Sequence, residues 1–433
     1  MVSVLIKKSE INGAIRCPGS KSYSHRAIAI ASLTTKQSII NNALVGRDTL
    51  ATLAACKAVG AKIKYQDSTL IIEGRHVLET PEDIINTENS GTTLRLMSVM
   101  SALVKKGFTV LTGDESLRRR PMQPIINALE QLGVQSYSTK MNGTPPIIVR
   151  GGGIKGGSAT IDGTISSQFV SALLICCIYA DSDVRIMIKG KQVSKPYIEA
   201  TLSTMKAFGV TVEYQSDFLE YNIGSNEYKA TVFDIPGDFS IAALILSAGV
   251  LSGKEVVLKG LDFSLPQGDS HIVDIIRKME GKITVDKQRG QVTVYGTAIL
   301  EGGHFDLSDT PDLLPVVSVL ALKARSPVKI SGVSHARFKE TDRIAKLASE
   351  FIKLGVSIKE DTDGLLINAP KKLKNASLEA HNDHRLFMAF SIASLLTERS
   401  TVNGAESVDV SYPNFIDDMK KLGADIKLMA RGK

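Results

Sequence analysis

At 433 residues the chain is longer than one ordinary hydrophobic core serves, so two or more domains are expected. With 43% hydrophobic and 22% charged residues it has a globular composition, and no apolar run reaches the ~18–20 residues that span a bilayer. The net charge of +7 is spread along the chain without aromatic interleaving, and Trp is absent; this argues against a nucleic-acid surface and leaves room for anionic small molecules.

The N-terminus shows no pattern of basic, then apolar, then small residues, so a secretory leader is not expected. The four cysteines, Cys17, Cys56, Cys176 and Cys177, form neither a disulfide framework nor a zinc spacing and suit a reducing cytoplasm.

In chain order, the first informative stretch is Gly19-Ser20-Lys21-Ser22-Tyr23-Ser24-His25-Arg26. Pro18 and Gly19 stop a strand-like run, and the apolar segment Ala27–Leu33 reads as a helix. Ser20, Lys21 and Ser22 then occupy its first turn, where free N–H groups and the positive dipole end favour an anion. Arg26 lies one turn on, on the same side as Ser22. The same octapeptide also suits a capped helix with two surface cations; it is not a Walker A loop.

A unit then recurs. An amphipathic helix ends on glycine at 60, 133, 209, 281, 355 and 423, giving steps of 73, 76, 72, 74 and 68 residues. A glycine just past a helix is the usual left-handed stop, so all six are expected there. In step with it, six mostly apolar helices begin near Ser20, Ser90, Ser166, Asp238, Asp312 and Asp383, and should be buried on every face.

Each unit reads strand–helix–strand–helix–strand–strand, which implies parallel pairs with right-handed crossovers. Six units divide into three and three. The expected first domain is 13–230 and the second 1–12 with 231–433, with crossings near Glu10–Ala14 and Gly224–Pro236. The sixth unit stops short, so Val2–Ile6 is expected to supply its missing strand. If the units are related by rotation and the domains face each other, six positive helix ends point into one cleft.

The helix starts carry the chemistry. Asn89-Ser90-Gly91-Thr92-Thr93-Leu94-Arg95 opens the second buried helix, with Gly91 permitting close backbone approach. Arg120 precedes Pro121, which suits a first helical position. Ser166-Ser167-Gln168 opens the third, and Ser194-Lys195-Pro196-Tyr197 precedes an outer helix; two hydroxyls and an amide can hold a phosphate or merely cap.

In the second domain Asp312 follows Pro311 and also reads as a lone helix cap, and Lys339-Glu340-Thr341-Asp342-Arg343 packs alternating charges that also fit a salt-bridged helix start. His381 and His384 lack a thiolate or further ligands for a metal, and His384 beside Arg385 looks more like proton handling and anion binding. The first domain thus offers hydroxyls, an amide and cations; the second offers carboxylates, a histidine and more cations. That combination suits two anionic substrates and proton transfer.

On seven motifs in order the chain resembles the 3-phosphoshikimate 1-carboxyvinyltransferase (EPSP synthase) family. They are Pro18–Arg26, Asn89–Arg95, Arg120–Met122, Ser166–Phe169, Ser194–Tyr197, Lys339–Arg343 and Asp383–Arg385. The resemblance implies an α/β, two-domain inside-out barrel, three repeats per domain, closing like a hinge over an interdomain active-site cleft. It implies transfer of the enolpyruvyl group of phosphoenolpyruvate to the 5-hydroxyl of shikimate 3-phosphate, without metal or organic cofactor, by a cytoplasmic monomer with no membrane or nucleic-acid partner.

By resemblance Lys21 touches both substrates, and Lys21, Asp312 and Glu340 share the proton transfers. Ser22 and Arg26 bind the shikimate carboxylate end. Ser166, Ser167 and Ser194 hold its phosphate, with Gln168 and Tyr197 lining the site; Asp312 meets the reacting hydroxyl, near Lys339. Asn89, Gly91, Arg120, Gln168, Arg343, His384 and Arg385 serve phosphoenolpyruvate, with Arg95 close by. Two positions depart from the family pattern: His335 stands where some members have Asn, and Val410 where some have Lys. The sister transferase acting on a nucleotide-linked amino sugar typically starts with Lys-Asn and uses a loop cysteine, absent from Asp114–Arg120. A non-catalytic or RNA-end-processing relative of the repeat fold fits the scattered charge and the intact Lys339–Arg343 element less well.

Overall fold

The computed structural model describes residues 2–66, 68–75 and 77–429. Twelve α-helices of the described residues carry the argument: α1 (Lys21–Ala31), α2 (Arg47–Ala58), α3 (Gly91–Met100), α4 (Gln123–Gln131), α5 (Ser167–Cys176), α6 (Lys195–Ala207), α7 (Phe239–Ser252), α8 (Ile272–Lys278), α9 (Leu314–Leu320), α10 (Arg343–Lys353), α11 (His384–Ser394) and α12 (Phe415–Lys421). The odd-numbered helices to α9, with α11, are the six apolar ones. Every residue of α11 is buried, as is every residue of α7 from Ile241 to Leu251. The even-numbered helices are amphipathic: α10 buries Ile344, Leu347, Ala348 and Phe351, the three-and-four spacing of a one-faced helix.

Six four-stranded sheets accompany them, all on one plan. In the third, Gly157–Asp162 runs parallel to Val184–Lys189, which pairs antiparallel with Glu220–Ile223, itself antiparallel to Glu213–Tyr214. The sixth is completed by the chain start, as expected from its missing strand. Ser3–Lys7 lies antiparallel to both Arg399–Asn403 and Ile426–Met429.

Two compact units result, Gly19–Pro236 and Met1–Pro18 with Gly237–Lys433. Two strands sit in sheets other than the one their sequence position suggests. Ile11–Arg16 leads into α1 but pairs with Gly253–Lys259 in the fourth sheet, and Val232–Asp234 leads into α7 but pairs with Gln37–Asn41 in the first. The chain therefore changes unit after each of these strands, at Pro18–Gly19 and Pro236–Gly237.

Three local expectations are corrected. Glycines 60, 133, 209, 355 and 423 have positive φ, but in the fourth repeat Glu280 (φ 60°) takes the left-handed position and Gly281 follows it. Helix α4 begins at Gln123, with Pro124 in its first turn, and not at Pro121; Arg120 is extended (φ −77°, ψ 139°), as a residue before proline prefers. Asp312 does not cap the fifth apolar helix. It lies in a 3-10 turn, Pro311–Leu313, leading into α9, which leaves its carboxylate to other partners.

Candidate active-site residues

In the unit Gly19–Pro236 the starts of α1, α3 and α5 gather cations and hydroxyls. Gly19 is required by packing, because a Cβ there would collide with the carbonyl oxygen of Asn42. Lys21 opens α1, and its Nζ donates to Asp48 Oδ2 at 2.8 Å, both side chains being largely buried. Asp48 sits in the first turn of α2, where a carboxylate also suits the helix dipole.

Arg26 is buried one turn further and ties three helices together. Its Nε donates to Thr201 Oγ1 (2.7 Å), Nη1 to the Ser22 carbonyl (2.8 Å), and Nη2 to the Tyr197 carbonyl (2.8 Å) and Ser171 Oγ (3.3 Å). All these partners are neutral, and burial lowers its pKa to about 10. The structure thus gives Arg26 a bracing role among α1, α5 and α6. His25, beside it, is fully buried against Thr52 Oγ1 (2.6 Å), and desolvation drives its pKa down to about 3.

Two guanidiniums converge over Gly91. A Cβ at that residue would meet Nη1 of both Arg95 and Arg120, so a larger residue there would displace both guanidinium ends. Arg120 Nη2 donates to Asn89 Oδ1 (2.9 Å), while its buried Nε has no acceptor among the described residues. Asn89 in turn donates to Asp114 Oδ2 (2.6 Å). Arg95 Nη1 donates to Gln168 Oε1 (2.8 Å) and Gln168 Nε2 to Thr92 Oγ1 (3.0 Å), which links the starts of α3 and α5.

Ser166 caps α5, its Oγ accepting from the Gln168 N–H (3.3 Å), and Ser167 follows, buried, at the first helical position. Ser194 precedes α6 in the left-handed region (φ 56°, ψ 41°), a conformation that costs a non-glycine residue about 1–2 kcal/mol. It caps nothing there. Tyr197 stands in the first turn of α6.

The other unit centres on Arg343, the largest fully buried side chain. Its Nε donates to Asp383 Oδ2 (2.7 Å), Nη1 to Asp312 Oδ1 (2.9 Å) and Nη2 to Glu340 Oε2 (2.7 Å). Burial alone would lower its pKa; Asp383, Glu340 and Asp312 more than reverse that, so the cation is held above its ordinary range.

Asp312 also meets Arg385 Nη2 at 2.8 Å and Lys339 Nζ at 3.8 Å, so three cations surround one carboxylate. Lys339 is pushed below the usual lysine range by burial, partly offset by Asp312. Asp383 caps α11, accepting from the Arg385 and Leu386 N–H groups, and His384 is buried behind it. Lys339 and Glu340 lie in the loop before α10, which Asp342 caps through the Ala345 N–H (3.0 Å).

Nothing in the local sequence singles out Asp48 or Asp269. Asp48 follows Arg47 as an unremarked first-turn acid, and Asp269 stands alone in Gln267-Gly268-Asp269-Ser270. Asp269 accepts a hydrogen bond from Ser240 Oγ; burial, then the nearby Asp312 charge, raises its pKa to about 7. Of the two departures from the family pattern, His335 is buried in a 3-10 turn and Val410 ends another, also buried. Among the described residues no three or more His, Cys, Asp or Glu side chains are arranged to hold a metal ion.

The family model of EPSP synthase (3-phosphoshikimate 1-carboxyvinyltransferase) matches residues 5–419. The 3-phosphoshikimate 1-carboxyvinyltransferase of Nitrosopumilus maritimus (strain SCM1) is 46% identical over 422 residues, covering 98% of this chain and 99% of its own. That of Methanocaldococcus jannaschii is 40% identical over 434 residues, covering 99% and 100%. Among solved structures, an EPSP synthase from Acinetobacter baumannii superposes with a TM-score of 0.83 at 27% identity, covering 99% of this chain and 100% of that one. The enolpyruvyl transferase NikO from Streptomyces tendae (TM-score 0.79, 18% identity, covering 100% and 99%) shares the fold. With the six repeats and all seven motifs in place, the chain belongs to the EPSP synthase (3-phosphoshikimate 1-carboxyvinyltransferase) family.

Proposed function

We infer that the chain transfers the enolpyruvyl group of phosphoenolpyruvate to the 5-hydroxyl of shikimate 3-phosphate, releasing phosphate, in the shikimate route to aromatic amino acids. The observation that carries this is family membership along essentially the whole chain, with every acid–base residue of the family motif present. In the reaction the hydroxyl oxygen bonds to C2 of phosphoenolpyruvate while a proton adds to C3. The tetrahedral intermediate then loses phosphate from C2 and a proton from C3, restoring the double bond.

The two residue sets divide these tasks in our reading. Ser166, Ser167 and Ser194, with Gln168 and Tyr197, hold shikimate 3-phosphate; hydroxyls and helix N–H groups bind phosphate without adding a competing charge. Ser22 and Lys21 face its carboxylate end, and Arg26 supports them from within the helix layer. Arg120, Gly91, Asn89 and Arg385 receive phosphoenolpyruvate, with His384 nearby, and Arg343 acts chiefly by fixing the carboxylates.

Asp312, steered by Arg343, Arg385 and Lys339, accepts from the reacting hydroxyl. Glu340 and Lys21 move the remaining protons. Burial eases proton loss from Lys339, so it can share in that exchange. Among the described residues no helix is long and apolar enough to cross a membrane, and the four cysteines are free and buried. We place the protein in the cytoplasm as a monomer acting on small molecules alone.

A coupled assay of phosphate release tests this. Phosphoenolpyruvate with shikimate 3-phosphate should release phosphate, and phosphoenolpyruvate with the nucleotide-linked amino sugar should not. The reverse preference would assign the chain to the sister transferase.

A further inference from the structure

Helix α10 holds the segment that leads into α11 at two points. The first is Arg343, which grips Asp383. The second lies seven residues on, two turns along the same face, where Glu350 is buried. Glu350 Oε2 accepts the Glu379 backbone N–H (2.9 Å), and Glu350 Oε1 lies 3.2 Å from His381 Nε2. Lys353 Nζ contacts both carboxylate oxygens from the solvent side, at 2.8 and 2.7 Å.

The segment so held is strained. His381 (φ 53°) and Asn382 (φ 58°) are consecutive non-glycine residues in the left-handed region. They reverse the chain between strand Ser377–Glu379 and α11, and the Asp383 N–H closes the turn on the Ala380 carbonyl (2.9 Å). Directly after them come Asp383, His384 and Arg385, and Arg385 reaches Asp312 at 2.8 Å. A strained pair persists only where its surroundings over-determine it: Glu350 holds both its entry and its first residue, and Glu379 Oε1 accepts the His381 N–H (3.4 Å).

We propose that Glu350 and His381 are positioning residues for the phosphoenolpyruvate end of the reaction: they lock the two-residue left-handed turn so that His384 and Arg385 are presented in register with Asp312. The proposal rests on the assignment of His384 and Arg385 to phosphoenolpyruvate. Neither Glu350 nor His381 touches substrate in this account, so their removal acts through the turn.

Steady-state kinetics of the full chain separates this from a purely structural role. His381→Gly relieves the cost of positive φ while deleting the ring. If the turn mattered only for folding, the variant would keep wild-type constants and an equal or higher Tm. Positioning predicts a rise in KM for phosphoenolpyruvate of roughly tenfold, the scale of a modest misplacement of binding groups, with KM for shikimate 3-phosphate nearly unchanged. Glu350→Ala should show the same selective rise, and Glu350→Gln, which still accepts the Glu379 N–H, should recover much of it. His381→Gly covers the case in which Glu350→Ala fails to fold. Unchanged constants in His381→Gly, or parallel rises for both substrates, would overturn the proposal while wild-type turnover still supports the reaction; a wild type that releases no phosphate would overturn both.

Discussion

In the unit Gly19–Pro236 the three inner helices begin on serines, Ser20, Ser90 and Ser166. In the other unit α7 and α11 begin on Asp238 and Asp383, and the turn before α9 carries Asp312. The repeat plan is shared, but a neutral cap leaves the helix end positive, whereas an aspartate cap cancels it. The unit that begins its inner helices on serines surrounds the helix starts with Lys21, Arg26, Arg95 and Arg120, and Asp48 pairs with Lys21. The aspartate-capped unit places Asp312, Glu340 and Asp383 around one buried Arg343. One repeat plan thus carries a cation-rich set of helix starts in one unit and a carboxylate-rich set in the other, of which Asp383 is a helix cap; in the function proposed above the first holds anions and the second moves protons.

The largest difference should appear when each unit's buried arginine is removed. Arg343→Met removes the guanidinium shared by Asp383, Glu340 and Asp312, leaving Asp312 to Arg385 and Lys339, and should cost about 3–5 kcal/mol of stability. Arg26→Met frees only hydroxyls and carbonyls and should cost about 1–3 kcal/mol. Denaturant unfolding of both variants measures this; equal losses would mean that the charge of the partners does not distinguish the units.

A smaller effect concerns substrate choice. Changing Ser166 and Ser167 together to Ala should raise KM for shikimate 3-phosphate roughly tenfold, the scale of lost hydrogen bonds to a charged group. KM for phosphoenolpyruvate should rise less. Equal rises would remove the phosphate-holding role from the start of α5.

The smallest is pH dependence, where the units pull in opposite directions. Burial holds His25 at about 3, below its ordinary 6.5, so within that window the unfolded chain takes a proton the folded one refuses. Stability from this group falls as pH drops through the window. Asp269 is raised from 3.8 to about 7, so the folded chain keeps a proton the unfolded one releases, and stability falls as pH rises from about 4 to 7. His25→Gln should flatten the acid-side loss of Tm, and Asp269→Asn the loss toward neutral pH, each by about 2–4 °C per pH unit. Unchanged slopes in both variants would contradict the buried states assigned to them.

Much of this was legible in the sequence because it rests on local signals. Left-handed glycines after helices, polar starts to apolar helices and the short sixth repeat are all read within a few residues, and the pairing of Ser3–Lys7 with the sixth sheet follows from them. What escaped depends on distant partners. The strands Ile11–Arg16 and Val232–Asp234 alternate like any others, and nothing in their residues names the sheet they join. Asp48, Asp269 and Glu350 are single acids whose meaning comes from Lys21, Ser240 and His381 across the fold. Arg26 and Arg343 were legible as site cations but not as side chains already occupied by protein groups, because occupancy is a matter of packing.

The division of labour turns on Glu340, which accepts from Arg343 Nη2 at 2.7 Å. In Glu340→Gln the amide oxygen can keep that hydrogen bond but cannot transfer a proton. The deciding measurement is kcat of Glu340→Gln at saturating substrates, read beside its affinity for shikimate 3-phosphate. The account predicts a fall in kcat of at least about a hundredfold, the scale of a lost acid–base group, with shikimate 3-phosphate affinity nearly unchanged. A variant that keeps near-normal kcat, or one that loses shikimate 3-phosphate binding instead, would contradict it and leave Glu340 as a brace for Arg343.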